Sequence, residues 1–383
     1  LGDVYKRQPS TGPLTLEAIV KSLSRAAALL GAGALVLSAC GTPPEQSGSD
    51  SGAGKGGDFK ACMVSDSGGF DDKSFNESGF NGLTTLKEDK GYKVQTAESS
   101  SEADFAPNLQ NMVQGDCNMI YAVGYLFSQT IKAEAEANPD THYAIIDATA
   151  QDADGNPVEV ENVKPLTFDT AQAAYLAGYV AAGTTKTGTV ATYGGGKIPS
   201  VTIFMDGFAD GVAKYNEVHG TNVKLLGWNK DSQDGSFTGD FDDQTKGKAL
   251  TEGFISQGAD IIMPVAGPVG AGTLAAAKEK DGVMVVWVDS DGVETNPDAK
   301  DVIITSVMKE IAAAVETTGT EAAEGKFTNE PYVGTLENGG VGLAPYHEFD
   351  SKIPAELKKE VEDLQKQIVS GEIEVTSPAS PKH

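Results

Sequence analysis

The feature that most constrains the fold is a regular alternation of short apolar segments with helix-forming segments. Residues 61–64 and 118–124 have the length and composition of buried strands, whereas residues 102–114 carry apolar side chains at helical spacing. Strands that alternate with helices in this way are typical of a parallel, doubly wound sheet with helices on both faces. The sequence therefore predicts the α/β class.

This alternation occurs twice, which predicts two similar α/β lobes. The first set of strands ends at 163–169, and a second set begins at residue 188 after a helix at 171–184. In the second half we expect an apolar strand at 200–205 and a helix from Gly207 to Glu217. The chain continues after both halves are complete, which predicts further crossings between the lobes and not a third domain.

From these patterns we assign every part of the chain to a region. Lobe 1 comprises 58–169 and about 305–330, lobe 2 comprises 170–304 and about 331–375, and 376–383 form a disordered tail. A length of 383 residues fits two domains better than one. The chain has 55 Asp and Glu against 29 Lys and Arg, a net charge of −26. Nucleic-acid binding requires the opposite balance, so we exclude that function.

The first residues predict secretion and lipid attachment. We exclude 1–8, which resemble translated sequencing-adaptor sequence more than protein. Lys21 and Arg25 then precede a short apolar stretch that ends in Leu37-Ser38-Ala39-Cys40. This order is typical of a signal peptide, here 1–39, and the last four residues resemble the bacterial lipobox, in which Cys40 becomes the lipidated first residue. Residues 40–57, rich in Ser, Gly and Pro, have the composition of a flexible tether.

Cys62 and Cys117 remain after the lipobox cysteine is set aside. Both lie near the start of strands that are neighbours in a 2-1-3-4-5 sheet order. Outside the cytoplasm a disulfide is permitted, and buried free thiols fit the sequence as well. A catalytic cysteine is not indicated, because the sequence shows no Cys-His pairing.

The loop that follows the first strand carries the densest set of polar groups. Within 65–77, carboxylates, hydroxyls, an amide and Phe75 lie close together before a helix begins. Ligands of open α/β sheets bind at the carboxyl ends of strands, where this loop lies. The alternative is an ordinary solvated connection, since turn residues favour such loops in any case.

Three loops of the second half complete the candidate site. They are 207–211, 235–240 and 288–291. Aromatic rings from both lobes can sandwich a planar ligand, and the Asp289 carboxylate can accept both hydroxyls of a vicinal diol. The alternatives are that each ring packs in the core and that Asp289 caps a helix.

The segment Ser65-Asp66-Ser67-Gly68-Gly69-Phe70-Asp71-Asp72-Lys73-Ser74-Phe75-Asn76 resembles the signature of the basic membrane protein family of bacterial lipoproteins, the purine-nucleoside receptor group. Further matches occur in order from about residue 59 to 375. They are Phe168 with Ala174-Tyr175-Leu176-Ala177-Gly178, Gly194-Gly195 with Pro199, Gly207-Phe208 with Gly211, Gly235-Ser236-Phe237, Ala266-Gly267, Val288-Asp289-Ser290-Asp291 and Thr305-Ser306-Val307-Met308-Lys309.

This resemblance implies a two-lobed type I periplasmic-binding-protein fold that closes on a nucleoside and delivers it to an ABC transporter permease. It also implies a monomer on the outer face of the cell membrane, without cofactor, metal or catalysis. The implied roles are as follows: Phe75 and Phe237 stack the base, with Phe208 as a competing second ring; Asp66 and Asn76 contact the base edge; Asp289 and Lys309 hold the ribose; Ser74, Gly124, Phe208 and Gly267 line the cleft. At position 172 this chain has Gln where many members of the family have Glu, and we expect this difference to affect a hinge or cleft contact.

Other chemistries have little support in the sequence. The glycine-rich segments 52–56 and 194–197 lack phosphate-loop spacing, and 229–240 lacks the Gly and Glu of an EF-hand loop. The four His residues are scattered, and the sequence shows no nucleophile elbow. The remaining alternatives are the same fold binding another small solute such as a sugar, a surface adhesion or signalling lipoprotein, and a nucleoside-cleaving enzyme.

Overall fold

The structure is a computed structural model and describes residues 57–382. The predicted signal peptide, Cys40 and the tether up to residue 56 lie outside this range. The strands are β1 (Lys60–Ser65), β2 (Lys93–Ala97), β3 (Met119–Val123), β4 (His142–Ile146), β5 (Val163–Phe168), β6 (Thr189–Gly194), β7 (Lys224–Leu226), β8 (Trp228–Asn229), β9 (Asp234–Gly235), β10 (Ile261–Val265), β11 (Met284–Asp289), β12 (Ile303–Lys309), β13 (Tyr332–Gly334) and β14 (Val341–Leu343). The α-helices are α1 (Phe75–Glu88), α2 (Phe105–Gln114), α3 (Ser128–Ala137), α4 (Thr170–Thr184), α5 (Pro199–His219), α6 (Gln244–Ser256), α7 (Gly270–Lys278), α8 (Gly292–Thr295), α9 (Ile311–Ala323) and α10 (Ala355–Val369).

The first sheet has the order β13-β5-β4-β3-β1-β2, and its strand pairs are parallel. Its central strands are buried on both faces, with α2 and α3 packed on one face and α1 and α9 on the other. Continuous apolar strands are what a parallel sheet covered by helices requires. This sheet and its helices form lobe 1.

The second sheet repeats this arrangement in the order β14-β12-β11-β10-β6-β7. Its strands are parallel except for β14, which pairs antiparallel with β12. Helices α6 and α7 cover one face, whereas α4 and α5 pack against the other. Strands β6, β7, β10, β11 and β12 thus repeat the 2-1-3-4-5 order that was predicted for the first sheet and is present there, and together with their helices they form lobe 2.

The chain crosses between the lobes a few residues later than the sequence predicted. The segment β12, assigned in part to lobe 1, lies in the second sheet, and the crossing follows it at Glu310. Strand β13, assigned to lobe 2, pairs with β5 of the first sheet. A crossing can occur only where a strand ends, because the interior of a strand is bonded to its neighbours on both sides. The β-rich piece at 332–343 is therefore divided between the sheets.

Helix α5 replaces the strand and shorter helix that the sequence predicted for 200–217. Pro199 occupies the first helical position, where its missing N–H costs no hydrogen bond. Residues 201–208 are all buried, so hydrophobic periodicity does not distinguish a buried helix from a buried strand here. Glycines permit the close contact with α4, since a Cβ on Gly178 would overlap the carbonyl of Phe208.

Cys62 of β1 and Cys117, just before β3, form a disulfide, with their Cα atoms 6.0 Å apart. The bond connects adjacent strands of lobe 1 and resolves the alternative left open by the sequence. The two cysteines are 55 residues apart in the sequence. Closing a loop of this length restricts the unfolded chain, which gives about 4 kcal/mol of stabilisation.

Residues 376–382 are not the disordered tail that we expected. Ser377 Oγ donates to Asp206 Oδ2 at 2.6 Å, and Ser380 Oγ donates to Asp169 Oδ1 at 3.2 Å. Hydrogen bonds to carboxylates are stronger than those between neutral groups, and they hold this polar segment against lobe 2. The sequence could not reveal these bonds, because their acceptors lie more than 170 residues away.

Candidate functional site

The candidate site is a cavity between the lobes, at the carboxyl ends of both sets of strands. Loops after β1, β3 and β4 line it from lobe 1, whereas β11, β12, the loop after β10 and the start of α5 line it from lobe 2. Seven of the predicted site residues lie together here: Asp66, Phe75, Asn76, Gly124, Gly267, Asp289 and Lys309. This is the position at which open α/β sheets bind ligands.

Asp72 fixes the loop that leads into α1. Its carboxylate accepts hydrogen bonds from the backbone N–H groups of Ser74, Asn76 and Glu77 at 2.8–3.0 Å. Burial raises the pKa of Asp72 to about 6, although these three N–H groups favour its ionised form. A carboxylate at a helix N-terminus satisfies otherwise unpaired donors. Asp72 thereby positions Phe75 and Asn76 at the cavity.

Asp66 and Asn76 form a polar pair at one end of the cavity. Asn76 Nδ2 donates to Asp66 Oδ1 and to the carbonyl of Ser67, both at 3.1 Å. Burial raises the pKa of Asp66 to about 8, against the opposing effect of the Asn76 amide. This shift favours the protonated form of the Asp66 carboxyl. Asn76 Oδ1 is buried and accepts no hydrogen bond from the described residues.

Gly124 allows Asp66 to approach the end of β3. Its φ is +112°, and a Cβ at this position would overlap Asp66 Oδ2. An L-residue other than glycine would be both strained and in collision at this point. The glycine is thus required by the geometry of the polar pair.

Lys309 lies at the centre of a buried ionic triad that joins the lobes. Its Nζ is 2.5 Å from Asp147 Oδ2 of lobe 1 and 2.9 Å from Asp289 Oδ1 of lobe 2. These three side chains are at most 8% exposed. Burial opposes the charge of Lys309, but the two carboxylates outweigh it and raise its pKa. Burial also raises the pKa of Asp147, and the positive charge of Lys309 opposes this rise. Carboxylates in such a site can accept hydrogen bonds from ligand hydroxyls.

Aromatic rings surround the ammonium group of this triad. Lys309 Nζ lies 4.6 Å from the ring centroid of Phe75 and 5.0 Å from that of Phe204. Both distances are within the range of cation–π attraction. Phe241 lines the cavity from the loop between β9 and α6. Rings from lobe 1 and lobe 2 therefore face the same space, as stacking of a planar group requires.

Direct contacts hold the lobes together beside the cavity. Ser74 Oγ donates to Asp289 Oδ2 at 2.7 Å, so the predicted residue Ser74 bridges the lobes. The carbonyl of Lys73 accepts hydrogen bonds from Trp287 Nε1 and Ser290 Oγ, each at 3.3 Å. These contacts join the first loop of lobe 1 to the end of β11, so the cleft between the lobes is closed.

The closed cleft encloses a small space beside a larger one. The site cavity measures about 60 Å³, whereas small-molecule pockets are roughly 300–1,000 Å³. An adjoining cavity of about 590 Å³, here called the chamber, shares Tyr125, Asp147, Ile198 and Ser200 with it. A ligand of nucleoside size therefore needs the lobes to move apart before it can enter the site.

Two of the predicted aromatic residues do not line the site. Phe208 is fully buried, because it lies one helical turn beyond Phe204 in α5, farther from the cavity, where its backbone packs against Gly178 of α4. Phe237 packs against Gly194 and meets the Trp228 ring edge-on, with centroids 6.0 Å apart. Phe204 and Phe241 occupy the cavity wall where we expected these two.

The site predicted from the sequence lacks Asp147, Phe204 and Phe241. Asp147 ends a predicted strand with a carboxylate, the same signal that identified Asp289. Phe204 falls within the segment predicted as a strand, and a strand would not turn its ring toward the cleft as α5 does. Phe241 follows an acidic turn and carries no comparable signal.

Gln172 is a hinge contact. Its Nε2 donates to Asp169 Oδ2 and its Oε1 accepts from the backbone N–H of Leu336, both at 2.9 Å. Asp169 begins the first crossing between the lobes, and Leu336 follows β13 at a later one. An amide can donate to one partner and accept from the other, whereas a Glu carboxylate would repel Asp169 when ionised.

Comparison with known protein families gives a match over most of the described chain. The family described as "ABC transporter substrate-binding protein PnrA-like" matches residues 59–378. The chain belongs to this family. As a member, it is an ABC transporter substrate-binding protein, with a small-molecule ligand and a transporter as partner.

Curated relatives cover nearly the same extent. A protein of Listeria innocua called "CD4+ T-cell-stimulating antigen" is 32% identical over 93% of this chain and 98% of its own length. The "ABC transporter nucleoside-binding protein BmpA" of Lactococcus lactis subsp. cremoris is 29% identical over 84% of this chain and 90% of its own. The similarity thus includes both lobes.

Solved structures confirm the predicted type I periplasmic-binding-protein fold. An ABC transporter solute-binding protein from Aeropyrum pernix K1 has a TM-score of 0.74 and 26% identity, covering 84% of this chain and 94% of that one. A solute-binding protein from Conexibacter woesei is similar in fold alone, with a TM-score of 0.64 and 23% identity over 84% of this chain and the whole of that one.

Two features of the substrate-binding protein complete its description. Between residues 57 and 382, the helices are too short or too polar to cross a membrane. The same residues contain no group of three or more His, Cys, Asp and Glu side chains suited to a metal ion. The family membership indicates a binding role.

Proposed function

We propose that this protein captures a purine nucleoside by lobe closure and delivers it to an ABC importer. In this proposal it acts as a monomer on the extracytoplasmic face of the membrane, anchored through lipid on Cys40. The observation that carries the proposal is the triad of Lys309, Asp147 and Asp289 beside the rings of Phe75 and Phe204. A nucleoside combines a planar base with a vicinal diol, and these groups are complementary to both parts.

The base is assigned to the aromatic part of the cavity. Phe75 from lobe 1 and Phe204 or Phe241 from lobe 2 can stack on it only when the lobes close. Stacking of a base on an aromatic ring contributes about 1–3 kcal/mol. Asn76 Oδ1, buried and without a partner in the described residues, supports a base with an N–H group at this edge. The protonated Asp66 carboxyl beside it can donate to a ring nitrogen or carbonyl.

The ribose is assigned to the ionic triad. Carboxylate oxygens of Asp147 and Asp289 can accept hydrogen bonds from the 2′ and 3′ hydroxyls, while Lys309 donates to a ribose oxygen. A diol bound between carboxylates of different lobes would link them directly, as Lys309 does in the closed cleft. Ligand-linked closure is the usual behaviour of two-lobed binding proteins.

The proposal is tested by calorimetry with purified protein and a panel of solutes. Adenosine, guanosine and inosine are compared with uridine, ribose, free adenine and galactose. We expect tight binding of at least one purine nucleoside and much weaker binding of ribose or base alone, because each occupies half of the site. Heat with galactose alone would support the sugar-binding alternative, and no heat with any solute would contradict the proposal.

A matched pair of variants assigns the binding to this cleft. Asp289→Asn keeps the size of the side chain but removes a charge from the triad, and it should weaken binding more than tenfold, since a charge-assisted hydrogen bond is worth about 1.5–3 kcal/mol. Asp298→Asn, at an exposed residue of the same lobe, should bind as the wild type does. Equal affinities would remove Asp289 from the site. Free base released during incubation would support the enzyme alternative.

The anchor is tested separately in cells. Cys40→Ser should release the protein from the membrane fraction, because the lipid is attached through the Cys40 thiol. Unchanged retention would contradict lipid anchoring at this residue and would leave the ligand assignment intact.

A further inference from the structure

Residues Thr376–Lys382, here called the strap, are bound at one end to the core of lobe 2. Ser377 Oγ donates to Asp206 Oδ2, and Lys230 Nζ donates to the carbonyl of Thr376 at 2.5 Å. Asp206 is fully buried, and its other oxygen accepts from Trp228 Nε1 at 2.9 Å. The anchor carboxylate is therefore fixed from several sides, and the strap binds to a rigid point.

The other end of the strap is bound to the hinge. Ser380 Oγ donates to Asp169 Oδ1, whose second oxygen accepts from Gln172 Nε2. Through Gln172, the same carboxylate is connected to Leu336 at another crossing of the chain between the lobes. The strap thus contacts the residue that joins two hinge segments.

The strap also forms one wall of the chamber. Residues 378–382 line it together with Lys197 and Pro199 of lobe 2 and with Thr149 and Phe168 of lobe 1. The chamber adjoins the candidate site through Asp147 and Ser200, which line both cavities. A solute that reaches or leaves the triad from this side must pass the strap.

We propose that the strap is a hinge-linked gate that holds the cleft closed and slows the release of ligand through the chamber. Opening of the lobes changes the backbone at the Asp169 crossing and moves the lobe 1 wall of the chamber, at Thr149 and Phe168, away from Asp206. A strap bound to both carboxylates resists that movement, and its release permits it. The ligand in this scheme is the nucleoside of the proposed function, on which this part of the inference rests.

The test uses the full-length protein, a chain that ends at Val375, and the double variant with Ser377→Ala and Ser380→Ala. Ser370→Ala is the matched control, because its hydroxyl also donates a hydrogen bond, to the backbone carbonyl of Gln367, but lies outside the strap. Hydrogen–deuterium exchange of the ligand-free proteins reports on hinge amides at 169–172. Stopped-flow displacement of a bound purine nucleoside reports the rate of dissociation.

Both strap variants should show faster exchange at the hinge amides and at least tenfold faster nucleoside dissociation, because they lose two hydrogen bonds to carboxylates and even one such bond is worth about a factor of ten. The Ser370→Ala control should match the wild type in both measurements. Wild-type exchange in the strap variants would overturn the proposal. Faster exchange with unchanged dissociation would make the strap a hinge brace and overturn its role as a gate. If the wild type binds no nucleoside, the proposed function fails, and the exchange measurement still decides whether the strap restrains the hinge.

Discussion

The two lobes place similar backbone features around the cleft. Within each six-stranded sheet, the fourth strand in chain order ends at or just before an aspartate with positive φ: Asp147 at 60° and Asp289 at 71°. The third strand of each is followed by a glycine with positive φ, Gly124 or Gly267, and a short 3₁₀ turn. Aspartate tolerates the left-handed region better than most residues, so the carboxylates can turn into the cleft from both sides.

The lobes differ in the side chains that they present. The pairing of β4 with β5 in lobe 1 matches that of β11 with β12 in lobe 2. In this match Phe168 of β5 occupies the position of Lys309 in β12, so lobe 2 alone supplies the cation. After the first strand, lobe 1 has Asp66 and a polar loop, whereas lobe 2 has Gly195. The two lobes thus share a backbone arrangement but carry different side chains, and neither lobe alone has all three members of the ionic triad. Closure is needed to assemble the site.

The largest expected effect comes from removing the cation that only lobe 2 supplies. Lys309→Met would leave Asp147 and Asp289 close together without a counter-ion, and breaking a buried pair costs about 3–5 kcal/mol. We expect a loss of that size in the free energy of unfolding measured with urea, together with loss of nucleoside binding.

The control is Lys326→Met, which removes an exposed lysine paired with Glu324 and should leave the free energy of unfolding nearly unchanged, because exposed ion pairs contribute little to stability. Equal losses of stability in the two variants would mean that the triad does not hold the lobes together. The presence of the cation in lobe 2 alone would then not affect stability.

The next effect concerns the disulfide, which the described chain contains only in lobe 1. Replacing both Cys62 and Cys117 by Ala should lower the free energy of unfolding by about 4 kcal/mol, since the closed loop constrains the unfolded chain. Hydrogen exchange should increase in β1 and β3 more than in β6 and β10. Equal increases in both lobes would show that the lobes unfold as one unit.

A smaller effect separates the aromatic residues. Phe75→Ala and Phe204→Ala should each weaken nucleoside binding by about 1–3 kcal/mol, because each removes one stacking contact with the base. Phe237→Ala removes a ring that packs against Gly194 and Trp228 outside the cavity wall, and it should affect folding more than affinity. Calorimetry and thermal unfolding of the three variants distinguish these roles. A larger affinity loss for Phe237→Ala would restore it as the second stacking ring.

The strand–helix alternation was sufficient to predict two sheets, the 2-1-3-4-5 order of the first five strands and the loop around Asp66. It failed at 200–205, because a segment that is buried on all sides has no periodicity to identify a helix. That error made Phe208, which is buried in the core, the candidate that competed with Phe237, and it left out Phe204, which lines the cavity. The strap was also missed, since Ser377 and Ser380 bind carboxylates that are remote in sequence. Local pattern predicts elements well, whereas contacts between distant segments depend on how those elements pack.

The last effect is a slope with pH, and it tests the carboxyl group that lobe 1 has and lobe 2 lacks. Burial raises the pKa of Asp66 to about 8, so the folded protein holds a proton that the unfolded chain releases near pH 4. Because the folded state binds more protons between these values, the contribution of Asp66 to stability is present below about pH 4 and is lost as the pH rises toward 8. The slope is at most about 1.4 kcal/mol per pH unit for one proton.

Asp66→Asn keeps the hydrogen bond from Asn76 and removes the titration. The stability of this variant relative to the wild type should therefore increase with pH between about 4 and 8, when the free energy of unfolding is measured by urea denaturation at each pH. Asp71→Asn, at an exposed residue of the same loop, should show no such trend. A constant difference between Asp66→Asn and the wild type would mean that Asp66 is ionised in the folded protein. Lobe 1 would then present a charged acceptor to the base in place of a donor, and the preferred base would be one with adjacent N–H groups at that edge.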